Sequence, residues 1–400
     1  MKASAAPVVP GFRASGVHCG IKASDPDLAL LVSDRPAAVA GVFTRSSVVG
    51  APVALSRERV RRGRTRAVVV NSGVANVAMG KRGERDAARM AEYAARAVGC
   101  AAEEVLVAST GVIGEPLPMA AIKHGVSAAS EALAGDGLVA AAEAIRTTDT
   151  FAKFASRRIR LGGRMVTVAG IAKGSGMIEP DMATMLGFLL TDANVSSPYL
   201  RGVLRRVSDD TFNRVSVDGE TSTSDSVLLL ANGVSGAARL SGARGRDAGR
   251  FEEAVHAVAE SLAMDLARDG EGATKLVKVM VTGARSAADA RAAARRIANS
   301  LLVKTAIFGA DPNWGRILQT VGAGRIRLDL ARTRIRLCGI TVFRQGASAG
   351  PAARRRAAAR LAEADEVEIA VELGAGKHAD RIWTCDLTTD YIRINAEYTT

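Results

Sequence analysis

The feature that most constrains this chain is alternation: short β-branched apolar runs follow alanine-rich segments of helical period along most of its 400 residues. Residues 67–71 (AVVVN), 105–108, 166–169, 185–190, 227–230 and 276–281 have the length and composition of buried strands. Between them, 86–98, 117–134, 138–146, 251–267 and 287–302 carry helical period, the first stopped by Gly99 and the fourth by Gly270. Ser197 followed by Pro198 supplies an N-cap with proline in the first turn, opening one more helix. Residues 109–114 (STGVIG) and 173–177 have loop chemistry. Strands recurring between helices bury both faces in a layered α/β architecture. From Ile326 the pattern shortens to brief strands at 326–330 (IRLDL) and 334–340 (RIRLCGI), a basic helix, a strand at 367–373 and a last run at 383–394. A smaller C-terminal lobe therefore begins between Ala290 and Ile326, and 1–290 and 291–400 are the expected domains.

Composition bounds the function. Hydrophobic residues at 48% and charged residues at 24% are the balance of a globular protein able to bury a core without disulfides. Cys19, Cys100, Cys338 and Cys385 lie far apart, with no CxxC and no signal-like segment ahead of them, so reduced thiols in a cytoplasmic protein are expected. No apolar run approaches the roughly 18 residues of a membrane span, and no membrane partner is expected. His18, His124, His256 and His378 form no ligand spacing, which argues against a zinc site. The net charge of +13 raises the question of nucleic acid. However, the basic clusters at 59–66 and 354–360 lack the interleaved aromatics that stack on bases, and no nucleic-acid partner is expected.

The common catalytic patterns are missing. There is no GxGxxG after a strand, and 374–377 (GAGK) lacks phosphate-loop spacing, so it is read as a turn. Residues 346–350 (GASAG) match GxSxG, but His378 is the one histidine that follows, and the segment is read as a small-residue loop. What stands out is a density of Gly and hydroxyl, Asn and Asp side chains in apolar surroundings, at 71–76 (NSGVAN), 109–111, 173–186 (KGSGMIEPDMATML) and 218–225 (DGETSTSD). A histidine-poor enzyme can still activate a hydroxyl when a free α-amine, of pKa about 7.7, serves as base, which requires a cut before a Thr, Ser or Cys. Ala183 before Thr184 offers a small residue at such a cut. A Gly-rich loop entering a core strand fits the same residues, and composition leaves both readings open.

The long segments 20–24 (GIKAS), 173–193 (KGSGMIEPDMATMLGFLLTDA), 218–225, 303–317 (VKTAIFGADPNWGRI) and 394–400 (INAEYTT) resemble the ornithine acetyltransferase family, the bifunctional glutamate N-acetyltransferases. The resemblance runs nearly the whole chain. It implies an αββα-type α/β sandwich of the DmpA-like kind with a smaller α/β C-terminal lobe. It further implies self-cleavage between Ala183 and Thr184, giving an alpha chain 1–183 and a beta chain from 184 that stay associated and pair as an α2β2 heterotetramer.

By the same resemblance Thr184 is the nucleophile, with Thr110 and Gly111 as the oxyanion hole and Thr147, Lys173, Thr184, Glu271, Asn395 and Thr400 as substrate-binding positions. The implied reaction moves acetyl from N-acetylornithine to glutamate through an acetyl-threonine ester, with no metal or bound cofactor and with acetyl-CoA as the one further co-substrate the family admits. Lys173 suits a carboxylate and Glu271 an ammonium.

The chain departs from the family pattern at three places. Val74 replaces an Asn in the Gly/Asn turn, Asp181 stands where Asn is usual, and Glu179 where a small or polar residue is usual. Two acids before the scissile bond alter its charge, and a specialised-metabolism paralogue is the alternative to primary arginine biosynthesis. Two contrasting classes are a Thr184-dependent amidase or aminopeptidase, in which water replaces glutamate, and a basic nucleic-acid-binding protein.

Overall fold

The computed structural model describes residues 6–179 and 185–397. Its contacts fall into two units, one holding the chain through Asn213 together with Glu220–Ala263, the other Arg214–Gly219 and the chain from Met264. The first contains β1 (Phe12–Val17), β2 (Leu28–Phe43), α1 (Ala51–Val60), β3 (Arg64–Val74), α2 (Gly80–Val98), β4 (Val105–Val112), α3 (Met119–Glu131), α4 (Leu138–Ala144), β5 (Lys153–Leu161), β6 (Arg164–Lys173), β7 (Leu186–Thr191), α5 (Ser197–Asp210) and β8 (Ser226–Ala231), and most of α6 (Arg246–Arg268).

These strands form one sheet of order β4-β3-β2-β8-β7-β6-β5, with β1 also on β2. β2 is the hinge of this sheet. Its first half, Leu28–Val32, pairs with β1 and β3; its second, Ala38–Phe43, pairs with β8. Between them the register shifts around Pro36, which has no N–H to give a ladder.

Alternation along the strands then sorts the core into layers. Val68 and Val70 of β3 point to one side, where Ile171, Phe188, Leu190, Leu228 and Leu230 of the other half-sheet and Leu138, Ala141 and Ala142 of α4 complete a buried cluster. Ala67 and Val69 point the opposite way, against Met90, Ala91 and Ala94 of α2 and Ile122 and Val126 of α3. On the far half-sheet, Gly170 of β6 leaves room for Leu262 of α6. The buried residues Phe251, Val255, Val258 and Leu262 lie on one face of that helix. Two half-sheets with helices outside both is the αββα layering expected.

The second unit holds β9 (Leu276–Ala284), α7 (Ala287–Asn299), α8 (Leu301–Phe308), α9 (Trp314–Ala323), β10 (Arg334–Leu337), β11 (Ile340–Arg344), β12 (Ala347–Ser348), α10 (Pro351–Glu363), β13 (Glu366–Glu372), β14 (His378–Cys385) and α11 (Thr389–Glu397). Its sheet has the order β12-β11-β10-β13-β9-β14. β9 lies inside this sheet, parallel to β13 and antiparallel to β14. The unit therefore begins before β9, and not at the expected 290/291 boundary.

Three local expectations are corrected. Residues 109–112, read as loop, continue β4, because a parallel ladder pairs Ser109–Val112 with Asn71–Val74. The helix expected over 287–302 breaks at Ser300, whose extended backbone ends α7 and whose hydroxyl caps α8 by accepting from the Val303 amide. Residues 326–330 form no strand. The GxSxG match falls on the exposed edge strand β12, and 374–377 lie in the connection from β13 to β14.

Candidate active site

The site is built first from two strand ends that sequence chemistry alone would call a loop. Asn71, Ser72 and Ser109 are polar and buried, yet stay in strands because their side chains find partners on neighbouring elements. Asn71 Nδ2 donates to the Val74 carbonyl at 2.8 Å, Ser109 Oγ donates to Asn71 Oδ1 at 2.5 Å, and Ser72 Oγ donates to the Ala144 carbonyl at 2.6 Å. Gly111 pairs with Gly73 in this ladder, with φ at 126°. A Cβ on Gly111 would come within 2.2 Å of the Gly73 carbonyl carbon, so no larger residue fits without moving the strand pair. Thr110, next to it, is half-buried.

Lys173 is the last residue of β6 and pairs with Leu186, the first residue of β7. It is only 8% exposed. Its ammonium donates to Thr110 Oγ1 at 3.2 Å and to Thr147 Oγ1 at 2.8 Å. A hydroxyl that accepts from an ammonium keeps its own proton available for another acceptor, so Thr110 is primed to donate to a negative oxygen.

Asp149 underlies this group. Its fully buried carboxylate accepts from Lys153 Nζ at 2.7 Å, from the Gly174 amide at 2.6 Å and from the Thr147 amide at 3.0 Å. Burial alone would raise its pKa, but the Lys153 and Lys173 ammoniums and these donors hold it well below the usual carboxylate range. One buried carboxylate thus ties two segments together through their backbone, at Thr147 and at Gly174 directly after Lys173. Thr148 Oγ1 and Ser175 Oγ, 2.6 Å apart, repeat the link one residue further along each segment.

A second buried carboxylate has the opposite character. Burial pushes the Asp225 acid well above its ordinary pKa, against smaller opposing effects from Ser222, Lys173 and the Met185 amide. Its Oδ2 has no hydrogen-bond partner among the described residues. Asp225 precedes β8, and its carbonyl accepts from the Thr44 amide at 3.1 Å.

In the second unit, Asn395 of α11 donates through Nδ2 to Glu271 Oε2 at 2.8 Å and to the Tyr391 carbonyl at 3.0 Å. The loop bearing Glu271 is held by its surroundings. Asp386 accepts from the Thr274 and Lys275 amides at 2.8 and 3.0 Å, and Thr388 Oγ1 donates to the Gly272 carbonyl at 2.7 Å. Behind this loop the buried Lys304, from the 303–317 segment, donates to Thr384 Oγ1 at 3.0 Å and to the Cys385 carbonyl at 2.5 Å.

The structure brings Thr110, Gly111, Thr147 and Lys173 together in the first unit and joins Glu271 to Asn395 in the second. Ala183, Thr184 and Thr400 lie outside the described residues, as does Asp181. Val74 is buried in the cluster against α2 and α3, so an apolar side chain serves packing there. The Glu179 amide donates to the Glu220 carbonyl at 2.7 Å, and Thr221 Oγ1 donates to the Glu179 carbonyl at 3.0 Å, bracing this residue against the 218–225 segment. Sequence reasoning assigned no role to Asp149, Lys153 or Asp225. Asp149 and Lys153 stand four residues apart, but the strand that Lys153 opens is basic and partly exposed, so nothing in the sequence marks the pair as buried. Among the described residues, no group of three or more His, Cys, Asp or Glu is arranged to hold a metal ion, and no helix is long and apolar enough to cross a membrane.

The ArgJ family model matches residues 13–400. The arginine biosynthesis bifunctional protein ArgJ of Symbiobacterium thermophilum is 48% identical over 393 residues, covering 98% of this chain and 97% of the relative. That of Gloeobacter violaceus is 47% identical over 394 residues, covering 98% and 96%. The crystal structure of the ArgJ protein from Bacillus halodurans aligns with a TM-score of 0.50 at 43% identity, covering 53% of this chain and 98% of that one. With the family model spanning nearly its whole length and relatives approaching half identity, this chain belongs to the ArgJ family.

Proposed function

We propose that this protein is a self-processing N-acetyltransferase that carries acetyl from N-acetylornithine to glutamate, with Thr184 as nucleophile. The observation that carries the reading is the Lys173 cluster. Lys173 ties Thr110 to Thr147 and is the ladder partner of Leu186, which opens β7. The extent of the Bacillus halodurans match also fits. Nearly all of that solved chain corresponds to 53% of this one, about the share that lies from Thr184 onward.

In this reading the chain cuts itself before Thr184. The freed Thr184 Oγ attacks the acetyl carbonyl, its own α-amine taking the hydroxyl proton. The oxyanion is held by the Thr110 hydroxyl and the Gly111 amide. Collapse breaks the amide bond, the ornithine amine leaves with the proton, and acetyl-Thr184 remains. The glutamate amine then attacks the ester, and N-acetylglutamate leaves. Lys173 suits a substrate carboxylate and Glu271 an ammonium, and Thr147, Asn395 and Thr400 are the remaining substrate-binding positions that the family resemblance implies. The two chains remain associated as α2β2 in the cytoplasm, and acetyl-CoA is the candidate second donor.

Initial rates over a grid of both substrates test this. The reading predicts parallel double-reciprocal lines and release of ornithine dependent on glutamate beyond one turnover. Steady release of acetate without glutamate would instead establish a hydrolase on the same nucleophile.

A further inference from the structure

A second ammonium stands at the Lys173 cluster. The loop between β1 and β2 carries Lys22, and it is pinned by one buried side chain: Asp27 accepts from the amides of Cys19, Gly20, Ile21 and Lys22 at 2.7, 3.1, 2.7 and 3.0 Å. Burial alone would raise the Asp27 pKa, but these four donors hold it below its ordinary value. Ile21 of this loop packs over Gly73, the ladder partner of Gly111, where a Cβ would meet it at 2.8 Å. The loop is thereby fixed across the strand ends that carry Thr110 and Gly111.

From this position Lys22 Nζ donates to the Arg146 carbonyl at 2.8 Å. Lys173 Nζ donates to the hydroxyl of Thr147, the next residue. Two ammoniums therefore flank one dipeptide. Lys173 has Asp149 near it, whereas Lys22 Nζ meets no carboxylate among the described residues, and one carbonyl occupies one of its three donors. Burial disfavours its charge most, the Arg146 and Lys173 cations add to that, and Asp25 and Asp27 oppose them through space, with Asp27 itself held by four amides. A half-buried ammonium held on a fixed loop with two open donors is a receptor for an anion.

We propose that Lys22 binds the side-chain carboxylate of the acceptor and so selects a dicarboxylic amino acid. The assignment rests on the reading above. Lys173 bonds Thr110, the proposed oxyanion donor, and therefore meets the carboxylate beside the reacting amine, which both substrates possess. Lys22 bonds Arg146, the residue before the one Lys173 bonds, and so stands ready for a second carboxylate, present in glutamate and missing from ornithine.

The test compares glutamate with glutamine, its uncharged isostere, as acceptor for wild type, Lys22→Met and Lys22→Arg. The expected result is that Lys22→Met lowers kcat/KM for glutamate about tenfold more than for glutamine, the loss of one charged hydrogen bond. Lys22→Arg should keep most of the preference, and thermal midpoints identify any variant that fails to fold. Equal losses for both acceptors, or no loss, would overturn the proposal by reducing Lys22 to a structural prop. Should Lys22→Met not fold, Lys22→Gln, which keeps a polar side chain but no charge, is compared in its place with the same two outcomes. A wild type that forms acetyl-Thr184 yet shows no preference between the acceptors sinks this inference alone. A wild type that transfers no acetyl sinks the underlying reading.

Discussion

The Lys173 cluster and the Glu271–Asn395 pair, the two groups assigned to substrate in the proposed function, hold a charged side chain in place by opposite means. Lys173 is buried, and its orientation is set by two hydroxyls, Thr147, whose amide is held by buried Asp149, and Thr110, held in the β3–β4 ladder. Glu271 is partly exposed and Asn395 exposed, and their placement comes from the backbone clamps at Asp386 and Thr388. The difference teaches where stability and function coincide. In the buried cluster the charges belong to the folding free energy, because an ion left without its partner there is costly. At the exposed pair water competes for both side chains, so their loss should touch binding and leave stability nearly unchanged.

The largest expected effect breaks the buried side of this comparison. Asp149→Ala removes the carboxylate that the buried Lys153 ammonium bonds and should destabilise the fold by about 3–5 kcal/mol in denaturant titrations. Next, Lys173→Met should lower kcat/KM by about tenfold to a hundredfold, the range for losing hydrogen bonds from a charged donor, as read in steady-state assays. Glu271→Gln is the opposing case. It should shift stability by under about 0.5 kcal/mol while raising KM for N-acetylornithine several-fold, measured by parallel melting and kinetics. The smallest effects are in pH dependence. Asp149 has a depressed folded pKa, so its stabilisation is present above the unfolded value, near 4, and is lost as pH falls below it. Asp225 is raised, so its acid form stabilises at low pH and that contribution is lost as pH rises from about 4 toward the folded value. Subtracting the stability curve of Asp225→Asn from that of wild type should reveal a decline with rising pH; a flat difference would mean that Asp225 ionises normally.

Much of the frame was legible in the sequence. The apolar runs at 67–71 and 227–230 are buried strands because they are long enough to cross a sheet covered on both faces, and Gly99 ends α2 in the left-handed conformation its position suggested. What was not legible is what tertiary pairing decides. Asn71, Ser72 and Ser109 carry turn chemistry, and they lie in strands because carbonyls and side chains of distant elements satisfy them. Ser300 breaks a continuous helical period because its hydroxyl caps a new helix more favourably than it extends the old one. In the site, Lys173, Thr110 and Thr147 were named from the family resemblance. Asp149 was not named, since an acid in a Thr-rich segment looks like a surface turn until its lysine partner is seen buried beside it.

The central claim is that Thr184 is released by self-cleavage and carries the acetyl group. Intact mass under denaturing conditions, for wild type and Thr184→Ala after incubation with N-acetylornithine, tests it most directly. Two chains are expected in the wild type, residues 1–183 and 184–400, the second gaining one acetyl group that glutamate removes, and the variant should stay uncut and unacetylated. A wild-type chain that stays whole on prolonged incubation, or acetyl found on another residue, would contradict it.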